Sequence, residues 1–101
     1  MKVTVKPFLF LRNLLGFQAE DIALPVESEN RVEELLSVLR KKYKLPDCLD
    51  IPQGHLVLFD GSRPVGLVIL INGRNIDQLQ GLKTVLQEGD SVALFPPAAG
   101  G

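Results

Sequence analysis

The stretch of this chain whose residue types and order best suit covalent chemistry is its end, Phe95-Pro96-Pro97-Ala98-Ala99-Gly100-Gly101. Two successive prolines cannot join a central β-ladder and favour an extended polyproline conformation, so they stop a strand and stiffen its exit. The residues after them carry nothing larger than a methyl group. Extended, the six positions beyond Phe95 reach at most roughly 20 Å. Such a tail suits the delivery of the Gly101 carboxylate into a narrow pocket on another protein. An adenylating enzyme must surround the carboxylate it activates, and glycine lets the partner's backbone come close. A merely frayed end would not be expected to follow a strand closed by Phe-Pro-Pro.

Other candidates are weaker. Cys48 and His55 could form a nucleophile–base pair, but they lie in a stretch broken by Pro and Gly with no local signature, and neither is assigned a catalytic role. One His and one Cys make no zinc set, so no metal site is expected. Arg40, Lys41, Lys42 and Lys44 read as the solvated last turn of a helix, where cations oppose the helix dipole.

Composition bounds the function further. The 101 residues fit one compact domain, and 46% hydrophobic with 23% charged residues support an ordinary core. Eleven basic against twelve acidic residues give a formal net charge of −1, and no basic stretch is interleaved with aromatics, which argues against nucleic-acid binding. A single cysteine fits a reducing compartment. The chain opens directly into a strand pattern, and its longest apolar run, Leu67 to Ile71, is far too short for a membrane span. It is therefore expected to be soluble and cytoplasmic.

The elements that must position the tail follow from periodicity. Lys2-Val3-Thr4-Val5-Lys6 alternates as a half-buried strand, and carrying that parity forward puts Val3, Val5 and Leu9 on the core face and Phe8 and Phe10 on the other. Asn13 to Gly16 reads as a turn, and Ile22 to Val26 as a returning strand that Pro25 confines to an edge. Val32, Leu35, Leu36, Leu39 and Tyr43 form one apolar stripe on a helix over Arg31 to Tyr43. Asn30 is its expected cap, with Glu33 reaching back and Ser28 as the alternative. Residues 45–55 read as a loop with at most one helical turn, and Leu56 to Phe59 as a short apolar run. Leu67 to Ile71 reads as a buried strand, Asn72-Gly73 as a tight hairpin turn and 74–77 as a short return. Ser91 to Phe95 is the last strand, with Val92 and Leu94 inside and Ala93 and Phe95 outside. If first and last strands are neighbours, Phe8 and Phe95 form an exposed aromatic patch beside the tail root, of the kind that marks partner sites.

This order predicts an α+β fold, a β-grasp (ubiquitin-like) arrangement with a mixed sheet and one main helix packed on one face. The expected organisation is a domain over 1–95 and a flexible Gly-Gly tail over 96–101.

Taken together, the opening strand with Phe8, Leu11-Arg12-Asn13-Leu14-Leu15-Gly16, the helix, Ile71-Asn72-Gly73-Arg74-Asn75-Ile76, Gly81-Leu82, Glu88-Gly89-Asp90 and the Phe95-Pro96-Pro97 to Gly100-Gly101 end are familiar. The chain resembles the small subunit of molybdopterin synthase, within the prokaryotic ubiquitin-like sulfur carriers. Residues 46–66 form a longer middle than that pattern has. The resemblance implies a non-enzymatic sulfur donor that binds no cofactor. A ubiquitin-activating-like adenylyltransferase would use ATP and magnesium to adenylate Gly101, with Gly100 beside it, and a sulfur donor protein would convert the carboxylate to a thiocarboxylate. The molybdopterin synthase large subunit, which would hold the catalytic groups, would then receive the tail. Phe8, Phe95, Pro96, Pro97, Ala98 and Ala99 are the expected partner contacts. A carrier for thiamin, cysteine, a tungsten cofactor or tRNA thiolation, a ubiquitin-like protein modifier, and a plain interaction module remain open alternatives.

Overall fold

Alternation in the opening residues becomes β1, Lys2–Pro7, whose Val3 and Val5 are fully buried while Lys2 and Lys6 face solvent. A short helix α1, Phe10–Leu15, follows, and β2, Glu20–Ala23, pairs back antiparallel on β1. The main helix α2 is Val32–Tyr43. Next come β3, Cys48–Ile51, and β4, Gly54–Val57, then β5, Val68–Ile71, and β6, Arg74–Asn75. Two 3-10 turns, Ile76–Gln78 and Gly81–Lys83, lead to β7, Ser91–Phe95. The computed structural model describes residues 1–97; Ala98, Ala99, Gly100 and Gly101 lie outside the described residues.

The larger sheet has five strands in the order β2-β1-β7-β5-β6, with β1 and β7 parallel and the remaining neighbours antiparallel. This is the mixed β-grasp sheet expected, with β2 at an edge, but the returning strand is Glu20–Ala23 rather than Ile22 to Val26, so Pro25 lies beyond the strand and not within it. The inward side chains of β7, Val92 and Leu94, meet Val5, Ile69 and the α2 stripe Val32, Leu35, Leu36 and Leu39 in one core. Asn72 and Gly73 both have positive φ, 50° and 87°, which is what the two-residue turn between β5 and β6 demands. The Asn72 side chain also ties down the start of β7, donating to Asp90 at 2.9 Å and accepting from the Ser91 N–H at 2.9 Å.

Several expectations need correction. Leu9 does not continue the core face of β1: it is 71% exposed with φ at +56°. The segment after it is helix α1 rather than a turn confined to Asn13 to Gly16. The cap of α2 falls one residue later than expected, with Arg31 in the capping position and Glu34, not Glu33, reaching back to its N–H at 3.3 Å. Ser28 donates to the same carboxylate, and this bond more than any other holds Glu34 below the usual carboxylate range. The return after Gly73 is only Arg74–Asn75, because Ile76 turns into the core as the first 3-10 residue. Finally, 45–55 is not a loop: it holds β3 and the start of β4, a separate two-stranded hairpin turning at Pro52 and Gln53.

That hairpin is fixed to the domain at its stem. Asp47 O accepts the N–H groups of Leu58 and Phe59 at 2.7 and 3.0 Å. Arg40, at the end of α2, pairs with the Asp47 carboxylate, donates to Gly61 O at 3.0 Å and lies over the buried Phe59 ring at 4.1 Å. Arg40 is thus a clamp and not merely a solvated cation. Gly66 approaches the same stem so closely that a Cβ would overlap the Val57 carbonyl oxygen and stand 2.8 Å from Leu58 Cα.

Two predictions follow from this packing. Gly66→Ala meets backbone that cannot swing aside, so it should cost stability at the upper end of ~1–3 kcal/mol in denaturant unfolding. Tyr43 packs on Phe17 with ring centroids 5.2 Å apart and donates to Glu20. Desolvation and then Glu20 push its hydroxyl up to about 12. A raised folded value means the stabilisation is complete below the unfolded value near ~10 and is lost as pH rises through about 12. Phenolate absorbance should titrate late in the native protein, and Tyr43→Phe should remove this part of the alkaline stability loss.

Candidate functional site

The end of the sheet from which β7 leaves is built by three converging segments. β1 runs on into Phe8, whose N–H still donates to Leu94 O at 2.9 Å. Phe95 ends β7 opposite Val68, the first residue of β5. Phe8 and Phe95 stack with ring centroids 4.3 Å apart and planes 5° from parallel, so the two aromatics expected to meet do meet. Each is half-buried rather than fully exposed, because each shields the other. Arg12 on α1 caps the stack: its guanidinium lies 5.3 Å from the Phe8 ring centre and its Nε donates to Pro7 O at 3.2 Å.

Pro96 is half-buried and Pro97 exposed, and both border an apolar cleft of about 930 Å³. One side of this cleft is the outward face of the sheet, Val68, Leu70 and Phe95; the other is the hairpin, through Ile51 and Leu56. Leu9 and Phe10 form its lip. The hairpin's opposite face carries Cys48, Asp50 and His55, all exposed, with His55 Nδ1 3.0 Å from Asp50 Oδ1. Cys48 and His55 therefore turn away from the tail root. Among the described residues no group of three His, Cys, Asp or Glu side chains is placed to hold a metal ion.

Leu9 was not identified as a site residue from sequence. It occupies the first central position of a turn closed by the Leu11 N–H donating to Phe8 O at 3.2 Å, with φ 56° and ψ −136°. This is the mirror-image type II geometry, in which glycine is the ordinary residue. Backbone held in so sparsely populated a region costs on the order of 1–3 kcal/mol. Of the expected partner contacts, Phe8, Phe95, Pro96 and Pro97 are brought together here. Ala98, Ala99, Gly100 and Gly101 fall outside the described residues.

The ThiS family matches residues 8–101, nearly the whole chain. The chain belongs to the ThiS family. Small archaeal modifier protein 3 of Haloferax volcanii is 32% identical over 101 residues, covering all of both chains. The solution structure of small archaeal modifier protein 1 from Methanosarcina acetivorans superposes with a TM-score of 0.69 at 31% identity, over 99% of this chain and 96% of that one. A putative molybdopterin converting factor subunit 1 from Pyrococcus furiosus gives 0.66 at 26% identity, over 97% and 99%. This ThiS-family chain is thus a ubiquitin-like sulfur carrier or modifier, a kind of protein that is generally small and non-catalytic. Among the described residues no helix is long and apolar enough to cross a membrane.

The stack is testable as a unit. A double-mutant cycle on Phe8→Ala and Phe95→Ala, read by denaturant unfolding, should return a coupling of about 0.5–1.5 kcal/mol. Leu94→Ala, which empties a core position, should cost about 2–5 kcal/mol, more than Phe95→Ala does.

Proposed function

We propose that the chain carries sulfur on its terminal carboxylate. Gly101 is adenylated by a ubiquitin-activating-like enzyme using magnesium and ATP, with release of pyrophosphate. A persulfide on a donor protein then attacks the acyl carbon and displaces AMP, and a second thiol of the donor cleaves the resulting acyl disulfide, which leaves the thiocarboxylate on Gly101 and a disulfide on the donor. The acceptor is the pterin precursor of molybdopterin, reached when the tail enters the large subunit of molybdopterin synthase. The chain itself supplies no acid or base to these steps; the partners do.

The observation that carries this reading is the exit of β7. The central strand ends at Phe95 on a stacked aromatic platform and leaves the sheet as Pro96-Pro97, so the chain beyond starts from a rigid, apolar root. Acyl-adenylate chemistry needs this, since misplacement of a reacting atom by about 1 Å can cost on the order of a hundredfold. The molybdopterin acceptor is favoured by the Pyrococcus furiosus relative and by the Phe-Pro-Pro exit. A second reading, conjugation of Gly101 to lysines of other proteins, is favoured by the whole-length likeness to a small archaeal modifier protein. Both readings share the adenylation step.

Incubation with the adenylating enzyme, ATP and sulfide should raise the intact mass by the replacement of one oxygen by sulfur. Deleting Gly100 and Gly101 should abolish pyrophosphate exchange with an almost unchanged melting temperature. One residue added after Gly101 moves the carboxylate by roughly 3.5 Å and should block exchange as well. Gly101→Ala keeps its position and should be impaired less. Full exchange by the extended chain would refute the reading. Higher-mass lysine conjugates in cells, absent after the deletion, would select the modifier role.

A further inference from the structure

The β3–β4 hairpin is a sheet of two strands, and one of its edges has no partner. Asp47 O accepts the Leu58 N–H at 2.7 Å, one step beyond the pairing of Cys48 with Val57. Antiparallel pairs alternate between hydrogen-bonded and open, so Asp47, Leu49 and Ile51 turn their backbone groups toward β4. Cys48 and Asp50 turn theirs away from it. Both residues are exposed, and among the described residues nothing but β4 pairs with the backbone of β3. The outer edge of β4 differs, because Gly66 packs against it at the Val57 carbonyl. The open edge of β3 also stops abruptly. Its outward parity continues to Pro46 on one side and Pro52 on the other, and neither has an N–H. Only Cys48 and Asp50 therefore offer both a donor and an acceptor to an incoming strand.

We propose that this edge receives the β3 strand of a second copy of the chain, antiparallel and about a two-fold axis. One register suits it. Cys48 of each copy pairs with Asp50 of the other, which satisfies every outward donor and acceptor of both residues. The axis then passes between the two Leu49 side chains, and each Pro46 lies beside a Pro52, where no N–H is stranded. Asp50 stands opposite a neutral cysteine instead of its own counterpart, and its carboxylate keeps His55 Nδ1 at 3.0 Å. A longer strand of another protein fits worse, because its carbonyls beyond this stretch would face prolines that cannot donate. Growth ends at two copies, since the edges that remain are the β4 strands that Gly66 already packs against. Strands of four residues make a small contact, which puts the dimer in the weak, transient class. The inference does not depend on the tail reading.

Sedimentation of the full chain from micromolar to millimolar concentration should show a monomer–dimer equilibrium. Asp50→Pro removes an outward N–H that the hairpin does not use, and symmetry removes it twice from the dimer. It should weaken association about tenfold or more while the melting temperature is nearly kept. Cys48→Pro acts at the other outward position and covers a folding failure of the first variant. Amide exchange reads the register: the Cys48 and Asp50 N–H groups should become protected as concentration rises, whereas that of Leu49 is protected throughout. Leu49→Cys in a Cys48→Ser background sets two thiols across the axis and should oxidise to a covalent dimer. Wild-type Cys48, offset from its counterpart, should not. A wild type that stays monomeric at every concentration overturns the inference, and so does a dimer that both proline variants leave intact. Protection of Cys48 and Asp50 that appears only when another protein is added would assign the edge to that protein and overturn it as well.

Discussion

Everything in this molecule depends on the parallel pairing of its first and last strands. Neither β1 nor β7 can be removed without opening the sheet, because β7 sits at its centre between β1 and β5. The contact joins residues about ninety positions apart, so closing it costs chain entropy that the packing of the intervening elements must offset. Its inward side chains, Val5, Val92 and Leu94, are essentially inaccessible and carry the weight of α2. Outward, the same two strands deliver Phe8 and Phe95 to one place. The core and the tail root are two faces of one ladder.

The outward face poses the complementary problem. An open sheet with one helix layer leaves its second face in water, where polar side chains are the rule. Near β2 this holds, with Thr4 donating to Asp21 across the strands at 2.8 Å. Toward β5 it fails, since Val68 and Leu70 are apolar and point outward. The β3–β4 hairpin partly covers them without closing over them. The result is a cleft rather than a second core, apolar and bordered by Pro96 and Pro97.

Much of this was legible in the residues. The strand at Ser91 to Phe95, the stripe of α2, the Asn72-Gly73 turn and the Phe8–Phe95 meeting follow from period and parity, and the structure keeps them. What escaped did so for physical reasons. Parity along β1 holds only while φ stays extended, and the positive φ at Leu9 breaks it in a residue type that rarely takes that conformation. The hairpin hid behind Pro46, Pro52 and Gly54, although Cys48-Leu49-Asp50-Ile51 alternates strictly. The apolar run of β5 was itself a signal: a strand apolar on both faces implies that something covers the second. Arg40 was indistinguishable from its solvated neighbours because its partners, Asp47, Phe59 and Gly61, come from a segment whose path only the tertiary structure reveals.

The parallel register also has a mechanical side. Lys2 lies at one end of the sheet and Phe95 at the other, since Thr4 stands beside Ser91 and Pro7 beside Leu94. Tension applied between the amino end and the tail therefore runs along the strands and loads their hydrogen bonds together, in shear, instead of peeling them one at a time. β5, on the other flank of β7, shares that load through its own ladder. A protein tethered by its last residue to a machine that pulls would thus behave as a rigid handle, yielding only when the whole central ladder gives way at once.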